Sequence, residues 1–401
     1  MPELAPPDFD THCREAVGRL RAALLDLYRS AKADPTQPQD VARRFKLNKN
    51  LTWRAAKIIQ ANDAFEAAAL IPGTSGMGIL VDGFAAAGAP SDAVDRARKA
   101  ADEIERMIEI HVGDRATLEL VLDSMGGDKP LERSRKLAFR GNSGIHGIQV
   151  HTRVTTHFMA ANRDDPGMLD MALIGGVTRV RKLRPGPIGP VFQVMGYDDA
   201  GEAVASPNRH PIENGVDDGS GDPWLLRSFC EGALPPIRAV PIAHGRSYEF
   251  GDNPVGKTSE FTCFFGFIDF TLYPRFRDEQ NHHGELISTV ALPAETLLFD
   301  AIVHRDLAEA LAPEVMLYGR LWESIVSGAR VAPLPCAAKV IDLGRGAPVA
   351  TPLVANYPEI VAAVESRCGW DHADFHVLRL VMDYPPMPST TVLRFPLIER
   401  A

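Results

Sequence analysis

The chain's 401 residues exceed what one ordinary hydrophobic core organises, so two or three folding units are expected. A composition of 45% hydrophobic and 24% charged residues, free of low-complexity tracts, is that of a soluble globular protein, and no window approaches the roughly 18 apolar residues of a membrane span. A net charge of −9 argues against a protein that coats nucleic acid along its whole surface.

The start, MPELAPPDFDTHCREAVGRL, has acids and prolines where a secretory signal has basic residues and then an apolar run. Cys13, Cys230, Cys263, Cys336 and Cys368 are widely spaced and contain no C-x-x-C. Together these features lead us to expect a reducing cytoplasm, no disulfide framework and no membrane partner, with Cys263 and Cys336 as small core residues.

In chain order, Val17, Leu20, Leu24, Leu27 and Tyr28 recur at three and four and predict an amphipathic helix over 11–33. DPTQPQ breaks it. A short helix is expected over 39–46, then the turn LNKN, then a second helix over 49–60. Residues 61–78 read as a connector punctuated by Ile71-Pro72-Gly73 and Gly76. Helices resume over 78–88, over 91–112 with Ser91 as cap, and over 114–124, which makes residues 1–125 an all-helical domain.

At Gly126-Gly127-Asp128-Lys129-Pro130 the period changes. IHGIQVHTRVTTHFMA, GGVTRVRKLRPG and GPVFQVMGY read as strands, and a polar stretch to Pro223 suggests a sub-boundary near 198–235. Strand-like runs follow over 238–250, 258–272 and 286–291, then a helix pair over 296–328 and the run AKVIDL. Pro358 and Gly369 bracket a helix over 358–368, and HVLRLVMD is expected to form a closing hairpin with TTVLRF across YPPMPS. The expected fold is α+β and multidomain: an N-terminal helical module, then a larger mixed α/β region over 126–401 rich in antiparallel strands.

Charge is unevenly placed. Residues 1–60 sum to +4, and within 40–60 Arg43, Arg44, Lys46, Lys49, Arg54 and Lys57 face Asp40 alone. In DVARRFKLNKNLTWRAAKII, Ala42 is small where two helices approach, Val41 and Phe45 fall on the buried side, and Leu47 plugs the turn. Leu51, Ala55, Ile58 and Ile59 form the inner stripe of the second helix, leaving Asn48, Lys49, Asn50, Thr52, Trp53, Arg54 and Lys57 outward. Asn pairs with adenine, Arg with guanine, and Thr and Lys hold phosphate.

This segment, 39–60, resembles the helix-turn-helix of DNA-binding regulators. It departs from the pattern at Lys46, where the turn residue is most often Gly; Asn48 is expected to cap the second helix and to supply tolerance for unusual backbone angles. The resemblance implies DNA as partner and a bacterial-type transcription regulator. Two copies would sit on half-sites one helical turn apart, hence a homodimer. The larger region is then left for dimerisation, partner contact or sensing of a small-molecule effector.

Other groups compete. Arg133, Arg135, Lys136 and Arg140, with Arg179, Arg181, Lys182 and Arg184, could track phosphate from a β-hairpin or be matched by acids of the same chain. GDNPVGKT, with Gly251, Gly256, Lys257 and Thr258, fits the phosphate-binding loop of nucleotide hydrolases and supplies an alternative, a nucleotide-binding enzyme. The aromatic, β-like run behind it favours a hairpin turn. Asp371, His372, Asp374 and His376, or His282, His283 and Glu285, could ligate metal, but no Cys or third His joins them, so no metal or other cofactor is expected. GNSGI fails the nucleophile-elbow pattern at Ile145, and no catalytic residue is nominated. A self-assembling or scaffold protein whose basic helix docks a partner is the remaining alternative.

Overall fold

A computed structural model describes residues 8–125, 131–197, 203–204, 208–213, 224–242, 245–279, 281–319 and 332–400. It is α+β, as expected, and divides into two compact units, Met1–Ser134 and Arg135–Ala401. The turn expected at 126–130 lies outside the described residues, as does most of 198–223.

The first unit is helical: α1 (Phe9–Ser30), α2 (Pro38–Arg44), α3 (Lys49–Gln60), α4 (Ala64–Leu70), α5 (Thr74–Ala86), α6 (Ser91–His111) and α7 (Arg115–Met125). Its core takes the expected stripe of α1, with Val17, Leu20, Leu24, Leu27 and Tyr28 fully buried. The rings of Phe45 and Phe84 stack at 4.2 Å, and Tyr28 tilts against Phe84 at 4.8 Å. The expected connector instead holds α4 and the start of α5. Asp63 caps α4 by accepting from the N–H groups of Phe65 and Glu66 at 2.8 and 3.1 Å, and Ile71-Pro72-Gly73 is only the break between the two helices. At α6 the cap position is Pro90 rather than Ser91, and no side chain caps it.

The change of period comes later than expected. The division of units falls in the first turn of a further helix, α8 (Glu132–His146), which carries Arg133, Arg135, Lys136 and Arg140. These bases therefore lie on a helix, not a hairpin.

The second unit holds β1 (Ile148–Ala161), β2 (Met168–Lys182), β3 (Ile188–Tyr197), β4 (Ala203–Val204), β5 (Arg209–Pro211), β6 (Glu231–Gly232), β7 (Ile237–Ile242) and β8 (Gly245–Phe250). It continues with β9 (Phe261–Pro274), β10 (His283–Val290), β11 (Ala294–His304), β12 (Glu314–Tyr318), β13 (Ile341–Arg345), α9 (Tyr357–Cys368), β14 (Phe375–Asp383) and β15 (Ser389–Pro396). The large sheet runs β13-β14-β11-β1-β2-β9-β5, with β6 also on β9; the pair β1 and β11 is parallel and the others are antiparallel. β10-β15-β12 and β4-β3-β8-β7 form smaller sheets.

Two expectations fail here. The helix pair expected over 296–328 is, where described, β11 and β12 with the one-turn helix Ala308–Ala310 between them; residues 320–328 lie outside the described residues. LLFDAIVH is buried on both faces, so it lacks the alternation that marks a strand. β14 and β15 do not pair with each other: β14 joins β11 and β13, whereas β15 joins β10 and β12. The connection contains Pro385, Pro386 and Pro388, which lack the N–H groups a hairpin ladder needs.

α9 starts at Tyr357 with Pro358 next and ends at Gly369 in left-handed backbone, φ 66, as the sequence suggests. Tyr357 donates its hydroxyl to Asp300 at 3.0 Å, and Arg379 grips the same buried carboxylate from β14 with Nε at 3.0 Å and Nη2 at 2.7 Å. That network fastens α9, β11 and β14 through groups that would be strongly unfavourable in the core unpaired.

Candidate nucleic-acid interface

The turn between α2 and α3 closes by backbone bonding. The Leu47 N–H reaches the Ala42 carbonyl at 2.9 Å, and Lys46 adopts left-handed backbone at φ 51, which together make a Schellman turn. The unusual angle thus falls on Lys46 itself. Asn48, expected to absorb it, is extended at φ −65 and ψ 134; it does cap α3, its side-chain oxygen accepting from the Asn50 N–H at 2.8 Å. Leu47 plugs the turn by seating on Gly83 of α5, where an added Cβ would come within 2.6 Å of it. Ala42, Ala55 and Ile58 are buried, and Leu51 and Ile59 pack half-buried against the same core.

Thr52 is not outward. It is fully buried, and its hydroxyl is shared between the carbonyls of Pro38 at 2.8 Å and Lys49 at 3.1 Å, fastening α3 to the start of α2. The signal was present in the spacing: Ala55, Ala56 and Ile59 stand three, four and seven residues after Thr52, so the four share a helix side. The remaining candidates stand on the surface, with Asn48, Lys49, Asn50 and Lys57 exposed, Trp53 46% exposed and Arg54 half-buried.

This surface gathers four uncompensated cations in one short segment; Arg29, Lys32 and Lys99 of the same unit also lack a carboxylate partner among the described residues. Arg14, Arg19, Arg96, Arg98, Arg106 and Arg115 of the same unit each pair with a carboxylate. Arg43 pairs with Asp40 at 3.0 Å, and Arg44 donates to the Lys32 carbonyl at 2.8 Å. Among the described residues Lys46, Lys49, Arg54 and Lys57 have no such partner. No acid stands in the first turn of α3, so the positive end of the helix dipole adds to the same field.

Most of the second basic group is engaged within the chain; Arg135 and Arg140 are the exceptions among the described residues, and Arg140 is exposed. Arg133 pairs with Glu119 and Lys136 sits over the Tyr384 ring at 5.4 Å. Arg181 pairs with Glu260, Arg179 lies 4.0 Å from the same carboxylate, and Arg184 donates to the Ile145 carbonyl at 2.5 Å. Lys182 is buried and reaches Asp252 at 2.8 Å. The Asp252 carboxylate also accepts from the N–H groups of Gly186 and Asn253, and Lys182 first, then these amides, hold it below the usual carboxylate range.

That carboxylate lies in the GDNPVGKT segment. The loop's amides are taken up within the protein, Asn253 by the loop's own Asp252, Gly251 by the Pro236 carbonyl and Gly256 by the Lys182 carbonyl, and Lys257, Thr258 and Ser259 form a single helical turn that leads into β9. A phosphate loop needs a long helix at that point, and Gly251, Gly256, Lys257 and Thr258 do not have one. The candidate metal groups are likewise separately engaged. His372 bonds Glu365 at 2.6 Å, His376 faces Asp342 at 3.3 Å, and Glu285 bonds Arg394 at 2.7 Å.

No protein-family model matches the chain, and no curated protein sequence matches it. Among the described residues no single helix is long and apolar enough to cross a membrane.

Proposed function

We propose that the protein is a DNA-binding transcription regulator of helix-turn-helix type that reads DNA with the N-terminal half of α3. The observation that carries the reading is the set of cations without carboxylate partners, Lys46, Lys49, Arg54 and Lys57, which runs from the turn before the capped helix α3 to its last turn, on a chain of net charge −9. Such a patch gains by releasing counterions from phosphate. Asn50 and Arg54 are the groups suited to base edges; Lys49 and Lys57 suit phosphate. Thr52 supports the reader from behind. Asn48 has committed its carbonyl to the cap, so only its amide N–H groups are left for DNA.

A two-helix reader makes few contacts, and useful affinity calls for a homodimer on two half-sites. The larger unit would serve that dimerisation and respond to a small effector. Its open groove of about 460 Å³, bordered by Leu311, Pro313, Val315, Ala338, Val340 and Asp342, is a suitable seat. The free cysteines accord with a cytoplasmic regulator.

Once a preferred site has been selected from random duplexes, Lys49→Ala should weaken all sequences alike. Asn50→Ala should lose about 1–3 kcal/mol at one base position and relax specificity there. The 46% exposure of Trp53 favours a second reading, a protein-docking face. Capture of a protein partner that Trp53→Ala abolishes, in a chain with no DNA affinity, would select that reading instead.

A further inference from the structure

Cys230 and Cys263 lie 33 residues apart in sequence, yet their sulfurs stand 3.8 Å apart. The register explains the approach. Glu231 of β6 pairs with Thr262 of β9 and Gly232 with Phe261, so Cys230, one residue before β6, falls opposite Cys263. Cys263 is fully buried and Cys230 is partly exposed, which leaves one sulfur of the pair open to a small reagent.

The other thiols are disarmed. Burial pushes Cys13 up to about 11 and Cys368 up to about 12, and raises Cys336 as well. Cys230, unlike Cys13, Cys336 and Cys368, is drawn below the usual thiol range, chiefly by its hydrogen bond with Cys263 and against the desolvation that opposes ionisation. Its thiolate is thus the one most available for attack.

We propose that Cys230 and Cys263 are an oxidation site that forms a reversible disulfide on meeting hydrogen peroxide. The Cys230 thiolate attacks one peroxide oxygen, the O–O bond breaks, and the departing hydroxide takes up the thiol proton as water, leaving a sulfenic acid. The Cys263 sulfur then attacks the Cys230 sulfur. The S–S bond forms, the S–O bond breaks, and the hydroxide leaves with the Cys263 proton as a second water. Two thiols lose two electrons and two protons, and the peroxide is reduced to two waters. The bond ties β6 and the turn Arg227–Phe229 before it to β9, converting a two-residue ladder into a covalent fastening. The inference is independent of the DNA-binding reading.

The test uses the full chain, reduced, desalted and exposed to one equivalent of hydrogen peroxide, then alkylated under denaturing conditions and mapped by mass spectrometry. The expected product has lost about 2 Da and carries a linked pair of peptides containing Cys230 and Cys263, with Cys13, Cys336 and Cys368 alkylated. Its melting temperature rises and returns to the starting value with dithiothreitol. Cys263→Ala should stop at a sulfenic acid on Cys230, trapped by dimedone, and Cys230→Ser should consume no peroxide. Alkylation of both cysteines in the treated wild type would overturn the proposal, as would oxidation of Cys230 to sulfinic acid beside a free Cys263. The wild-type map stands whether or not either variant folds.

Discussion

Lys46 pays for a backbone angle that suits glycine. A side chain at φ 51 costs about 1 kcal/mol, and the Lys46 side chain makes no hydrogen bond or ion pair to a described residue that would offset it. Lys46→Gly is therefore expected to raise unfolding stability by about 0.5–1 kcal/mol in urea titrations, with Lys46→Ala giving no gain. A loss on substitution to glycine would mean that the side chain stabilises the turn. His157 offers a test by pH. Its Nε2 lies 2.9 Å from the Ile287 carbonyl, and desolvation, only partly offset by that bond, pulls its pKa down to about 4. The unfolded chain takes up this proton near its usual 6.5 and the folded chain only near 4, so the contribution is complete above about pH 6.5 and is lost as pH falls toward 4. The urea midpoint of the wild type should drop more between pH 7 and pH 5 than that of His157→Gln, which keeps an N–H donor for Ile287. Equal drops would show that His157 does not couple folding to pH.

Among the elements, β2 shows how narrow the tolerances are. A Cβ on Gly175 would lie 2.4 Å from the Phe192 ring, and one on Gly176 would lie 2.2 Å from Phe264. Each glycine makes room for an aromatic ring. Gly176→Ala should destabilise the second unit by about 1–3 kcal/mol, since overpacking displaces buried rings; an unchanged urea midpoint would contradict that packing. The helices were legible in the sequence wherever one side met the core and the other met water, as in α1, α3 and α6. α4 was hidden because its seven residues lie between Asn-Asp and Pro-Gly, which read as a loop. β11 was hidden because burial on both faces erases alternation. β14 and β15 were legible as strands but not as partners, because a two-residue period identifies a face and not the neighbour across it. At the candidate interface the cap, the plug and the basic surface were legible from residue type. Thr52 was misjudged because a polar side chain was assigned outward, although its hydroxyl finds carbonyls inside.

At the scale of the whole molecule, the first unit has a hydrophobic cluster running from Cys13 to Leu122 within its own chain segment. A fragment ending at Ser134 should therefore fold cooperatively and melt as a helical domain, and a molten or unfolded fragment would count against the division. The central claim rests on the basic surface of α3 within an otherwise acidic chain. The most direct test is fluorescence anisotropy of the intact chain with labelled duplex DNA across a salt series, set beside the variant Lys49→Ala/Arg54→Ala/Lys57→Ala. The account expects the logarithm of the affinity to fall linearly with the logarithm of salt, and the variant to keep its fold while losing roughly three counterions from that slope. Absence of DNA affinity at low ionic strength, or a variant that binds as tightly as the wild type, would contradict it.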